Sequence, residues 1–217
     1  MPEPITIATM TGGVGVLAYY ARRYYVIAKE VVDIMLGTVA LIAALPVMAV
    51  CTAIIKLSSK GPVLFSQIRA GKDGKPFRML KFRTMYNGAE SGSGAVWASA
   101  RDPRVIPACR WMRISHMDEL PQLLHVVAGT MSLIGPRPER PEILAELEGK
   151  YPNVRYRMTV KPGITGLAQV RNGYDTSVDA FRHKLEADTE YIDHMCWAQD
   201  LKILAWTITK LLDRKAR

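Results

Sequence analysis

Two adjacent carboxylates, Asp118 and Glu119, stand just ahead of a run in which Leu120, Leu123, Leu124 and Val127 recur at helical spacing. Asp118 suits the N-cap of that helix, and Pro121 is tolerated in a first turn whose backbone N–H groups have no partner. A helix N-terminus favours both an ionised Asp and a bound phosphate. Neighbours on a helix point about 100° apart, so the two carboxylates cannot do one job side by side. One can attack while the other holds a metal or a proton.

Further along, Gly135-Pro136-Arg137-Pro138-Glu139-Arg140 sets one arginine between two prolines. The prolines fix φ and mount the guanidinium stiffly, which suits bidentate phosphate recognition. Arg113, five residues before Asp118, is a second candidate phosphate ligand. Lys81 and Arg83 are two more, because strand alternation puts both on one face and Phe82 on the other. Taken singly, the carboxylates and the Arg137 turn fit an N-capped helix and a Pro-rich surface turn better than a site, and the basic strand fits a solvated edge equally well.

The elements that must position them fall within 217 residues of net charge +9, a balance that suits an anionic partner. Nucleic acid, anionic headgroups and phosphorylated substrates all qualify. The cysteines at 51, 109 and 196 form no CxxC pair and read as free thiols. The four histidines lack metal spacing, which leaves zinc without a ligand set. Residues 1–28 form an N-terminal interfacial segment, with tyrosines and arginines clustered at 19–25.

Residues 29–57 form the membrane element. Residues 34–55 hold 22 uncharged residues, long enough to reach across a hydrocarbon core. Two features favour a re-entrant hairpin over a plain span. Pro46 sits near the middle and is expected to break the helix. Basic residues also flank both ends, Arg22, Arg23 and Lys29 before and Lys56 and Lys60 after, where a span should be lopsided. Residues 58–217 are expected to form one domain on the face to which the hairpin returns. It opens with strand-like residues 63–68 and a turn at 71–75. A Gly/Ser-rich loop follows at 87–99, then a helix at 142–151 and a basic strand at 155–161. Helices are expected at 178–195 and 198–213.

Asp118-Glu119-Leu120-Pro121-Gln122-Leu123, followed by Met131-Ser132-Leu133-Ile134-Gly135-Pro136-Arg137-Pro138, resembles the core of the bacterial sugar transferases. These are the monotopic phosphoglycosyl transferases that start glycan assembly on polyprenyl phosphate. The likeness extends to Gly61-Pro62-Val63-Leu64-Phe65 and Lys81-Phe82-Arg83-Thr84-Met85. It continues at Pro162-Gly163-Ile164-Thr165-Gly166-Leu167-Ala168-Gln169-Val170 and Asp200-Leu201-Lys202-Ile203, covering about residues 29–212 in the family's order. The resemblance implies an α+β, mostly helical monotopic membrane protein with an N-terminal re-entrant helix-break-helix and a small β element.

It also implies an activity. A sugar-1-phosphate would pass from a UDP-sugar to undecaprenyl phosphate, releasing UMP, at the cytoplasmic face of the bacterial inner membrane. Residues 58–217 would be the cytoplasmic catalytic domain. Asp118 would be the nucleophile and Glu119 the residue that coordinates Mg²⁺ or manages protons. Arg113 and Arg137, with Lys81 and Arg83 behind them, would meet phosphate, and membrane lipids would be partners. A homodimer is left open. The chain departs from the family at Leu45, where Ser often precedes the proline, and at Thr130, where an Asp is common. It departs again at Arg171-Asn172-Gly173, which puts the role of Arg171 in doubt. The rival readings are a non-catalytic module that binds anionic lipid and, on charge alone, a nucleic-acid binder without a reading motif.

Overall fold

Alanine, isoleucine, leucine and valine dominate the uncharged run, and alanine and leucine among them are strong helix formers. In the computed structural model, which describes residues 13–88, 102–172 and 181–212, this run is part of one 46-residue helix, α1 (Gly13–Ser58). The helix crosses the expected boundary at residue 28 and runs through Pro46 without interruption. The expected break is therefore absent from the helical backbone. A proline within a helix deletes one hydrogen bond and bends the axis, which strong helix formers on both sides can absorb. Gly61 and Pro62 stop the helix. Gly61 has φ +122, and a Cβ there would lie 2.2 Å from Arg83 Nη1. That guanidinium donates to Lys60 O at 2.8 Å and to Ser59 O at 3.0 Å, closing the helix end.

The chain then makes an antiparallel hairpin of β1 (Leu64–Ala70) and β2 (Pro76–Phe82), pairing Phe65 with Lys81. A short helix α2 (Arg110–Ile114), a 3-10 segment (Met117–Gln122) and α3 (Leu123–Val127) follow. Next come β3 (Ser132–Ile134) and α4 (Pro141–Lys150). β4 (Gly163–Thr165) pairs in parallel with β3. The described chain ends with α5 (Leu167–Asn172), α6 (Phe181–Asp193) and α7 (Trp197–Leu212). The fold is mostly helical with two small sheets.

Two sequence expectations change. Residues 154–158 form a 3-10 helix instead of a strand, because Arg157 turns inward to buried carboxylates. On α3 the buried residues are Leu123 and Val126, while Leu124 is 42% exposed; the preceding 3-10 turns rotate the apolar face. On α7, Leu201, Leu204, Ile208 and Leu211 are exposed and Ile203 is the core residue. The loop expected at 87–99 lies almost wholly outside the described residues.

α1 is the molecule's keel. Tyr25, Lys29, Asp33 and Gly37 are buried toward one end and Cys51 and Ile55 toward the other, all on one stripe. At Gly37 the contact with α3 is so close that a Cβ would stand 2.7 Å from Val126 Cγ1. A Gly37→Val variant should therefore lose about 1–3 kcal/mol of stability through overpacking. A Val39→Leu variant, at a site 66% exposed, should lose nothing measurable. Thermal melts in detergent decide this; equal midpoints would mean that α1 and α3 are not in contact.

Candidate active site

Asp118 and Glu119 lie in the 3-10 segment, directly after His116, whose φ of 57 places it in the left-handed region. For a non-glycine residue that conformation costs on the order of 1–3 kcal/mol. It ends α2 sharply and turns the next residues inward. Asp118 is not an N-cap: His116 occupies that position, no side chain caps the segment, and α3 is only five residues long. The helix N-terminus expected to favour a phosphate is thus absent, and the charged groups around Asp118 and Glu119 are side chains.

Glu119 is its centre. Oε1 accepts from Lys81 Nζ at 2.7 Å and from Arg137 Nη2 at 2.6 Å, and Oε2 accepts from Arg137 Nη1 at 3.2 Å. Lys81 comes from β2 and Arg137 from the turn after β3, so three distant segments meet on one carboxylate. Burial alone would push the Glu119 carboxyl up, but the Arg137 and Lys81 charges hold it well below the usual carboxylate range. Asp118 behaves oppositely. It is 8% exposed, and no donor among the described residues hydrogen-bonds to it. Burial pushes its carboxyl up, and the Coulombic pull of Lys81 and Arg113 only partly opposes this. Arg113 meets Thr84 Oγ1 at 3.3 Å.

Arg83, expected to face phosphate beside Lys81, is instead the cap of α1, because the strand ends at Phe82 and the alternation ends with it. The Arg137 turn has its own support, which the sequence reading missed. Arg157 donates to Arg137 O at 2.9 Å and to Asp188 Oδ2 at 2.6 Å, and lies 3.3 Å from Glu139. Glu139 also holds Lys184 at 2.5 Å. A charged residue in a basic, seemingly exposed run carried no signal of this burial. Thr130 donates to His125 O at 3.1 Å, and Arg171 pairs with Glu190 on α6, a surface contact.

Among the described residues no group of three or more His, Cys, Asp or Glu could hold a metal. Mg²⁺, however, is commonly bound by one or two carboxylates with substrate phosphates completing the shell. The Asp118–Glu119 pair fits a site of that kind only, and Glu119 already carries two cations.

A buried carboxylate therefore stands beside a carboxylate–lysine–arginine clamp, in a domain packed along a long apolar helix. The chain belongs to the bacterial sugar transferase family, whose model matches residues 24–214. It is 39% identical over 188 residues to the UDP-N-acetylgalactosamine-undecaprenyl-phosphate N-acetylgalactosaminephosphotransferase of Aeromonas hydrophila, covering 87% of this chain and 44% of that protein. It is likewise 39% identical over 186 residues to the UDP-glucose:undecaprenyl-phosphate glucose-1-phosphate transferase of Caulobacter vibrioides, covering 85% and 69%. To the Escherichia coli protein of the same name it is 37% identical over 190 residues, covering 87% and 41%. The chain thus spans less than half the length of two of these three relatives.

The two carboxylates should respond to pH with opposite signs. Folded Asp118 keeps its proton above the unfolded pKa of about 3.9, so its contribution is full in acid and is lost as pH rises through the folded value. Asp118→Asn should therefore raise the melting temperature at pH 8, with the gap to wild type closing on acidification. Glu119 contributes above the unfolded pKa of about 4.3 and loses that contribution as pH falls through its depressed value. Glu119→Gln should cost about 3–5 kcal/mol at pH 8, since it strands two partly buried cations. Shifts of the same sign in both variants would contradict this division.

Proposed function

We propose that this protein transfers a sugar-1-phosphate from a UDP-sugar to undecaprenyl phosphate, releasing UMP, as the first membrane step of bacterial glycan assembly. The observation that carries this is the division between Asp118, buried and hydrogen-bonded to no described group, and Glu119, neutralised by Lys81 and Arg137. The names of the relatives supply the substrate class.

In this mechanism an Asp118 oxygen attacks the phosphorus next to the sugar. The bond from that phosphorus to the UMP oxygen breaks, and UMP leaves with the electron pair. An oxygen of the lipid phosphate then attacks the same phosphorus, breaks the bond to Asp118 and restores the carboxylate. Arg113, Lys81 and Arg137 supply fixed positive charge where negative charge accumulates. Lys81 and Arg137 meet Glu119 before substrate arrives, so the clamp is preorganised. Mg²⁺, held by the Asp118–Glu119 pair together with the donor's phosphates, would neutralise the diphosphate as UMP departs.

We place the protein monotopically on the cytoplasmic face of the inner membrane, and the helix supports the monotopic part of that reading. Gly37 and Cys51 are both buried against the domain, and none of residues 38–50 between them is. Fourteen helical steps rise about 21 Å, less than the roughly 30 Å of a hydrocarbon core. An apolar stretch tethered at both ends to one domain dips in and returns with that domain. Helix α1 passes through Pro46 unbroken, so the return would rest on a bend and not on a loop.

Two experiments test this. Purified protein with Mg²⁺, undecaprenyl phosphate and a panel of UDP-sugars should release UMP with one of them. Arg137→Lys should slow release by about 30- to 1,000-fold, because an ammonium cannot reproduce the planar fork. Absence of UMP with every donor would remove the assignment, and near-normal Arg137→Lys turnover would make the turn purely structural. For topology, single cysteines at Tyr20 and Lys60 in a Cys-free background should label from the same side with an impermeant maleimide. Labelling from opposite sides would establish a span.

A further inference from the structure

Helix α1 carries a buried polar cluster that membrane attachment does not require. Lys29, Asp33 and Tyr25 on α1, Ser132 on β3, Tyr191 on α6 and Asp200 on α7 are each no more than 7% exposed. Ser132 Oγ lies 2.6 Å from Asp33 Oδ2 and 2.8 Å from Ile134 O. The Tyr191 hydroxyl lies 3.1 Å from Ile134 O and 2.9 Å from Asp200 Oδ1. Tyr25 donates to Asp200 at 2.7 Å, and Lys29 Nζ sits 2.9 Å from Asp200 and 3.4 Å from Asp33. The contacts close a ring: Asp33, Ser132, Ile134 carbonyl, Tyr191, Asp200, Lys29 and back to Asp33.

Burying two carboxylates and an ammonium costs several kcal/mol per ion before pairing. Leucines at the same positions would seat an apolar helix more cheaply. What the ring holds is the strand that leads to Arg137. Ser132 N donates to Pro162 O at 2.8 Å, Gly135 N to Thr165 O at 2.9 Å, and Gly163 N to Pro136 O at 2.9 Å. The backbones have no slack: a Cβ on Gly163 would stand 2.1 Å from Gly135 N, and one on Gly135 2.6 Å from Lys161 O. A shift at Ser132 is therefore passed along residues 132–136 to Arg137, and from there to Glu119.

We propose that Asp33 is a positioning residue for the active site, fixing Ser132 and through it the strand that carries Arg137, so that the apolar helix is part of the catalytic scaffold. This rests on the phosphotransferase reading for its kinetic consequence, but not for its structural one.

The experiment uses the full chain in lipid nanodiscs with Asp33→Asn, Ser132→Ala, Arg137→Lys and the Asp33→Asn/Arg137→Lys double variant. Ser132→Ala leaves every charge in place and guards against an Asp33 variant that fails to fold. Asp33→Asn and Ser132→Ala should each lower kcat by on the order of tenfold to a hundredfold, with KM for the UDP-sugar within about twofold of wild type. Because Asp33 acts through Arg137, its substitution in the Arg137→Lys background should cost less than about threefold. Amide exchange at residues 132–137 should quicken in Asp33→Asn while that of α6 does not. Equal losses in both Arg137 backgrounds would overturn the proposal, as would unchanged exchange at 132–137. If wild type turns over no UDP-sugar, the functional reading fails and the exchange measurement alone decides: faster exchange supports the positioning role, unchanged exchange ends it.

Discussion

The structure turns on one carboxylate shared by two cations. Glu119 draws Lys81 from the hairpin and Arg137 from the turn after β3 onto itself, within 2.7 Å each. Every surrounding element serves that meeting. The hairpin delivers Lys81, the β3–β4 ladder delivers Arg137, and the left-handed His116 delivers Glu119 with Asp118 beside it. A buried ion pair of this kind is a weak source of net stability, since desolvation offsets most of its Coulombic gain. It is a strong source of geometry. It holds two positive charges in place and leaves Asp118 buried, without a hydrogen-bond donor among the described residues; in the proposed mechanism those charges wait for a phosphate and Asp118 attacks it.

Helix α1 belongs to the same construction. It presents an apolar face outward, with Met35, Val39 and Ile42 all more than 60% exposed, while its inner stripe packs along the domain at both ends. Such an exposed apolar face is consistent with membrane association, on a helix long and apolar enough to cross a membrane. The inner stripe is not uniformly apolar: Lys29 and Asp33 reach polar groups on β3 and α7. The long apolar helix and the strand that leads to Arg137 are therefore joined through one buried polar cluster.

Much of the site was legible in the sequence because its chemistry is local. Adjacent carboxylates and an arginine between prolines announce themselves by residue type, and Asp118, Glu119, Lys81 and Arg137 are indeed brought together. The errors have physical causes. Alternation predicted a shared role for Lys81 and Arg83, but β2 ends at Phe82 and the next guanidinium finds the open carbonyls of α1. Helical periodicity predicted an N-capped helix, but Pro121 and left-handed His116 favour tighter 3-10 turns. The ion network behind Arg137 and the ring around Asp33 were illegible because the partners lie far apart in sequence: Arg157 with Asp188, Asp33 with Ser132, and Lys29 with Asp200.

In the proposed mechanism the neighbouring carboxylates hold separate posts, Glu119 as a neutralised clamp and Asp118 as the nucleophile. The most direct measurement is the mass of the protein after brief incubation with its UDP-sugar in the absence of lipid acceptor, followed by peptide mapping. The expected result is one sugar phosphate added per chain, about one UMP released per enzyme as a single covalent turnover requires, and the adduct on a peptide at Asp118. An adduct on Glu119, or no UMP until lipid is added, would contradict the account.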